Sequence, residues 1–244
     1  SKTTIVSHAF PAWIWTRMPE AKIICGSYSH PLALNLSMKS RDVIISDKYR
    51  VTFGDIKLRE DQNAKGHFIN ARGGFRYAVG TEGSVTGFHG HFIIVDDPLD
   101  PNRAVSDPDI LAGNRWISET LETRKVDKEV TFTLLIMQRL HQNDPTAHLL
   151  EKASETDPIK HINLPGEIEG SGLKVVRPRK LARFYVEGLL DPIRLSRKVL
   201  QRLRKRLGEY GYGVQILQSP VPRGGGMFKT DRIQIVQAAP ALLK

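Results

Sequence analysis

The chain has a single cysteine, Cys25, in 244 residues, so it cannot form an intrachain disulfide or a thiolate metal cluster. Cys25 sits in the apolar run Ala21-Lys22-Ile23-Ile24-Cys25-Gly26, which reads as a buried strand thiol. No stretch approaches the roughly 20 apolar residues a membrane span requires. The first residues also lack the charged-then-apolar pattern of a secretory signal, and the expectation is a soluble intracellular protein without membrane contact. Aromatic residues are sparse at 7%, but hydrophobic residues reach 40%, which excludes a disordered polyampholyte and supports one substantial core with a small appendage.

Charge is plentiful and unevenly placed. The formal net charge is +10. The segment from Lys174 to Arg206 holds twelve lysines and arginines against only Glu187 and Asp191, and so carries the whole excess. Such a concentration suits contact with a polyanion such as DNA phosphate, although a solvated helix face has the same composition. The nucleic-acid candidates are Arg194, Arg197, Lys198, Arg202, Arg204, Lys205 and Arg206.

Periodicity organises the rest. Ile5, Val6, Ala9, Phe10, Trp13 and Ile14 recur at helical spacing, predicting one amphipathic helix through Pro11. A buried strand is expected over 21–27, a helix restarting at His30, and a hairpin over 68–79 about the turn Arg72-Gly73-Gly74. Gly80, Gly83, Gly87 and Gly90 then mark a loop. The run Phe92-Ile93-Ile94-Val95 has no alternation, as in a parallel strand covered on both faces, and it ends in Asp96-Asp97-Pro98. A helix carrying Trp116 is expected over 111–126, a strand over 130–137 and a basic helix over 194–208. Strands separated by helices indicate an α/β domain with a mainly parallel sheet. Composition divides the chain into a domain over 1–165, a basic linker subdomain over 166–226 and a tail over 227–244. Tyr210-Gly211-Tyr212-Gly213 and the glycine run 224–226 read as linker.

Two carboxylates closing an apolar parallel strand lie at the carboxyl edge of the sheet, where open α/β folds keep their ligands. Asp96 suits a Mg²⁺ held against nucleotide phosphates, and Asp97 suits orientation or deprotonation of an attacking water. Asp-Asp-Pro is equally good turn chemistry. The end of a phosphate-loop signature fits the first residues: Lys2 in the role of the phosphate-binding lysine, Thr3 as the hydroxyl that reaches Mg²⁺, with Ser1 and Thr4 flanking them. Gln138, after the 130–137 strand, suits a γ-phosphate sensor. Arg139 suits stabilisation of transition-state charge, with capping or surface pairing as the alternative for both. His89, His91 and His141 lack the spacing of a zinc helix.

Together, Gly80-Thr81-Glu82-Gly83-Ser84-Val85-Thr86-Gly87, the stretch from Phe92 to Pro98, Ala104-Val105-Ser106, Trp116, Arg124 and the stretch from Gln138 to Asp144 resemble the ATPase domain of large terminase subunits of tailed phages. The stretches 208–215 and 218–222 resemble the segment that joins this motor to a nuclease domain. The resemblance implies an ASCE-type P-loop NTPase fold with ATP and Mg²⁺ as cofactors. It also implies assembly as a homo-oligomeric ring that drives double-stranded DNA into a procapsid, with portal protein and small terminase subunit as partners, in the host cytoplasm at the portal. In such rings a neighbour's arginine completes the site, and Arg103, Arg124 and Arg139 are the candidates. A nuclease domain is expected to be absent from this stretch.

Overall fold

A computed structural model describes residues 2–54, 56–168 and 172–221. Ser1, the glycine run 224–226 and the whole expected tail 227–244 lie outside the described residues. The chain divides into two compact units, residues 1–161 and 162–244.

The first unit is built on a six-stranded sheet of order β2-β3-β4-β1-β5-β6. Its strands are β1 (Ile23–Ser27), β2 (Leu58–Asn63), β3 (His67–Asn70), β4 (Phe75–Gly80), β5 (Phe92–Asp96) and β6 (Phe132–Ile136). β1 pairs in parallel with both β4 and β5, and β5 in parallel with β6. The expected hairpin is present as the antiparallel β3–β4 pair, and β2 adds an antiparallel edge. Every residue of β1 is buried, as its lack of alternation requires.

Successive residues of these strands feed opposite layers. Ile23, Cys25, Ile94 and Ile136 pack with Ala12, Trp15, Ile44 and Tyr49. Those four come from α1 (Phe10–Arg17), α2 (His30–Ile45) and α3 (Asp47–Thr52). Ile24, Ile93 and Val95 pack with Trp116, Ile117 and Leu121 on the other face. Helices α2 and α3, and later α4 (Asp107–Arg115) and α5 (Pro145–Lys152), begin with side-chain caps from Ser29, Ser46, Ser106 and Asp144, each accepting from a backbone N–H three residues on.

The first helix differs from a plain α-helix. Thr4–Ala9 forms π-helical turns that continue into α1. Pro11 explains the widening, since a proline ring clashes with the carbonyl four residues earlier and offers it no N–H. The helix expected over 111–126 starts earlier, at Asp107. It changes to π-helical turns over Trp116–Leu121 and to a 3₁₀ turn over Glu122–Arg124.

The second unit holds a one-turn α6 (Gly172–Val175) and a long α7 (Arg197–Gln215), capped by Ser196. Leu189, Leu200 and Tyr212 form its core. The basic helix does break at Gly208, whose backbone sits at φ 67. The Tyr210–Gly213 stretch, however, is helical and not linker. Tyr212 is buried to 1% and supplies the apolar anchor that reading by glycine content overlooks.

Candidate active site at the carboxyl edge of the sheet

Because β1, β4, β5 and β6 run in parallel, their last residues share one edge, and the chain's first helix starts there. Asp96 ends β5 and is 3% exposed. Its Oδ1 accepts from Thr3 Oγ1 at 3.3 Å and its Oδ2 from Ser7 Oγ at 2.5 Å. Lys2 is exposed as a residue, but its ammonium reaches inward and donates to the Met137 carbonyl at 2.9 Å, just beyond β6. Burial of the ammonium lowers its pKa below the usual lysine value, and the negative charges of Asp97 and Asp96 oppose that drop.

Asp97 is clamped by backbone from both neighbouring strands. Its N–H donates to Ile136 O at 2.8 Å, and its carbonyl accepts from Tyr28 N at 2.9 Å and Ser27 Oγ at 3.4 Å. These bonds hold it in the left-handed region at φ 47, a conformation that aspartate tolerates better than most residues. Burial raises its carboxyl pKa and adjacent Asp96 adds to the rise, while Lys2 and the Gln138 backbone N–H pull the other way. A raised carboxylate is a better proton acceptor, the property a water-activating base needs.

The structure therefore brings Lys2, Thr3, Asp96, Asp97 and the backbone of Gln138 to one place. Thr4 is exposed on the following helical position, and the Gln138 side chain is half-buried at the sheet edge. Arg139 is engaged by a fully buried carboxylate: its Nε lies 2.8 Å and 3.0 Å from the two Asp144 oxygens, and its Nη2 donates to His141 O at 3.3 Å. Asp144 also accepts from the N–H groups of Leu140, His141 and Ala147, so this carboxylate organises the loop before α5.

Ser7 is the site residue that sequence reasoning missed. Its legible signal was its position one turn after Thr3 on the same helix face. Arg76 of β4 was missed too. It is fully buried and donates from Nη2 to the Ser7 carbonyl at 3.5 Å, while its Nε and Nη1 have no partner. Among the described residues no group of three or more His, Cys, Asp or Glu side chains could hold a metal ion. His91 and His141 accept backbone N–H bonds from Lys22 and Asn143. No helix of the described residues is long and apolar enough to cross a membrane.

In the second unit the basic residues separate into two sets. Arg194 pairs with Asp191 at 2.5 Å, and Arg197 donates to Glu187 O at 2.8 Å. Arg204 reaches Glu209 at 3.2 Å and Glu167 at 3.5 Å, and lies 4.3 Å from the centre of the Tyr212 ring. These three are tied into their own unit. Lys198, Arg202, Lys205 and Arg206 are exposed and make no ion pair among the described residues. Their spacing of i, i+4, i+7 and i+8 puts them on one stripe of α7.

No protein-family model matches this chain, and no curated protein matches it. Among solved structures it is similar to the crystal structure of the HK97 bacteriophage large terminase, at 14% identity and a TM-score of 0.46. The match covers 82% of this chain and 40% of that one.

Proposed function

We propose that this chain is the motor part of a viral DNA-packaging enzyme, hydrolysing ATP with Mg²⁺ to move double-stranded DNA. One observation carries the reading. An ammonium and a hydroxyl from the start of the chain converge on a carboxylate pair more than ninety residues later, at the sheet edge where such folds bind ligands. The residue pattern of the glycine loop, the strand ending in Asp96-Asp97-Pro98 and the Gln138 to Asp144 stretch supports the packaging assignment over other ATPases.

The donors present fit Mg²⁺. Asp96 Oδ1 and Thr3 Oγ1 are hard oxygens, and Mg²⁺ is commonly held by one or two protein oxygens, with phosphate and water completing its shell. Bound there, the cation would neutralise phosphate charge. Lys2 has the reach of a phosphate-binding ammonium. Asp97, held by three backbone contacts, accepts a proton from water, and Gln138 reports on the outermost phosphate. The exposed stripe Lys198, Arg202, Lys205 and Arg206 contacts DNA phosphates. The ring, the portal protein and the small terminase subunit belong to the same proposal.

The test is Mg²⁺-dependent ATP turnover by the purified protein. Lys2→Ala and Asp96→Asn should each lower it by about 10²-fold or more. Asp97→Asn should do the same while leaving the melting temperature within a few degrees, because asparagine also accepts the left-handed backbone. Full turnover in both Lys2→Ala and Asp96→Asn would remove the ATPase reading. DNA affinity indifferent to nucleotide and to Asp96→Asn would favour a non-enzymatic DNA-binding module. ATP-driven strand separation without packaging would favour a helicase-like ATPase.

A further inference from the structure

The two oxygens of Asp96 are held unequally. Ser7 Oγ donates to Oδ2 at 2.5 Å, the length of a strong charge-assisted bond, whereas Thr3 Oγ1 stands 3.3 Å from Oδ1. Ser7 is 1% exposed, so water does not compete for that bond. Its backbone is also fixed. Pro11 has no N–H for the carbonyl four residues before it, and the Ser7 carbonyl accepts instead from the buried Arg76 guanidinium. Oδ2 is thereby the oxygen held more tightly by the protein, and Oδ1, which accepts only the longer bond from Thr3, is the one more open to a cation.

One-oxygen coordination discriminates between cations. Mg²⁺ takes single oxygens in a tight octahedron, whereas Ca²⁺ takes about 6–8 oxygens and readily uses both atoms of one carboxylate. We propose that Ser7 is a specificity-determining residue that restricts Asp96 to one coordinating oxygen and so favours Mg²⁺ over Ca²⁺. The proposal rests on the metal-nucleotide reading of the site. Ser7 touches no substrate in it and acts through Asp96, as a positioning residue.

The experiment measures displacement of Mn²⁺ by Mg²⁺ and by Ca²⁺, followed by electron paramagnetic resonance in the presence of a non-hydrolysable ATP analogue. Wild type, Ser7→Ala, Ser7→Cys, Ser7→Thr and Ser37→Ala are compared, with a thermal melt for each. Ser7→Ala should lower the Mg²⁺-over-Ca²⁺ ratio by about tenfold, the usual scale for losing a residue that orients a metal ligand. Ser7→Cys keeps the volume but donates weakly, and it should shift the ratio the same way even if the alanine variant folds poorly. Ser7→Thr retains a hydroxyl and should restore the ratio. Ser37→Ala removes another fully buried serine, one whose Oγ has no partner, and should leave the ratio unchanged. An unchanged ratio in folded Ser7→Ala and Ser7→Cys overturns the proposal, as does an equal change in Ser37→Ala. Absence of Mn²⁺ binding in wild type would overturn the metal-nucleotide reading itself, an outcome read without any variant.

Discussion

Gly26 of β1 faces the indole of Trp116 so closely that a methyl group on Gly26 would lie 2.2 Å from the ring's Cη2. The contact closes the layer in which Ile24, Ile93 and Val95 pack on Trp116, and it leaves no room for any side chain at position 26. Gly26→Ala should therefore destabilise the protein by about 1–3 kcal/mol, the usual cost of overpacking. Chemical denaturation measures it. Trp116→Leu in the same chain should recover part of the loss, and a Gly26→Ala variant as stable as wild type would show that the indole has other space to occupy.

The Arg139–Asp144 pair is nearly dry, with side-chain exposures of 14% and 0%. Removing the carboxylate leaves a guanidinium without its counter-charge and three backbone N–H groups without an acceptor. Asp144→Ala should cost about 3–5 kcal/mol, the range for breaking a buried pair from one side. A cost below about 1 kcal/mol would return Arg139 to candidacy for contact with phosphate.

Acid should weaken the first unit through its buried histidines. His67 lies edge-on to Phe75, Phe88 and Tyr77, with ring centroids 5.6, 5.3 and 5.7 Å away, and burial lowers its pKa from the ordinary 6.5. His8, His91 and His148 shift the same way, each chiefly through burial. A lowered pKa means that the unfolded chain takes up protons first. The contribution is complete above 6.5, declines as pH falls below it, and stops declining once the folded-state pKa is passed. Melting temperature should thus drop as pH falls through and below 6.5, and His67→Phe should make that slope shallower. An identical slope in the variant would show that the other histidines carry the effect.

Salt dependence separates the two sets of basic residues in α7 and just before it. Replacing Lys198, Arg202, Lys205 and Arg206 by glutamine should weaken DNA binding. Each lost phosphate contact should reduce the slope of log affinity against log salt by about 0.9. Arg204→Gln should instead lower the stability of the second unit, because it loses a ring contact and two carboxylates. Equal salt slopes for the fourfold variant and wild type would rule out that stripe as the phosphate contact.

Several elements were legible because their residues announce both burial and direction. Phe92-Ile93-Ile94-Val95 has the unbroken apolar run of an inner parallel strand, and Arg72-Gly73-Gly74 marked the hairpin of β3 and β4. β2 was not legible: Leu-Arg-Glu-Asp-Gln-Asn is exposed at nearly every position, so no hydrophobic pattern marks it, and pairing with β3 alone makes it a strand. α5 was hidden for a related reason, since its start depends on the Asp144 cap, whose geometry includes a bond to Arg139.

At the site, the residue types at the edge of the sheet follow from sequence, because a strand's last residues and a helix's first residues are set by local pattern. Which of them meet does not follow. Ser7 lies 89 positions from Asp96 and Arg76 lies 69 from Ser7, separations that only the strand order closes. The sequence by itself determined that two carboxylates end a buried strand and that a basic helix follows. Tertiary structure alone decided which oxygen of Asp96 is held more tightly, that Asp144 holds Arg139, and which of the exposed cations of α7 are tied to neighbours, because each outcome depends on neighbours that packing supplies and local propensity does not encode.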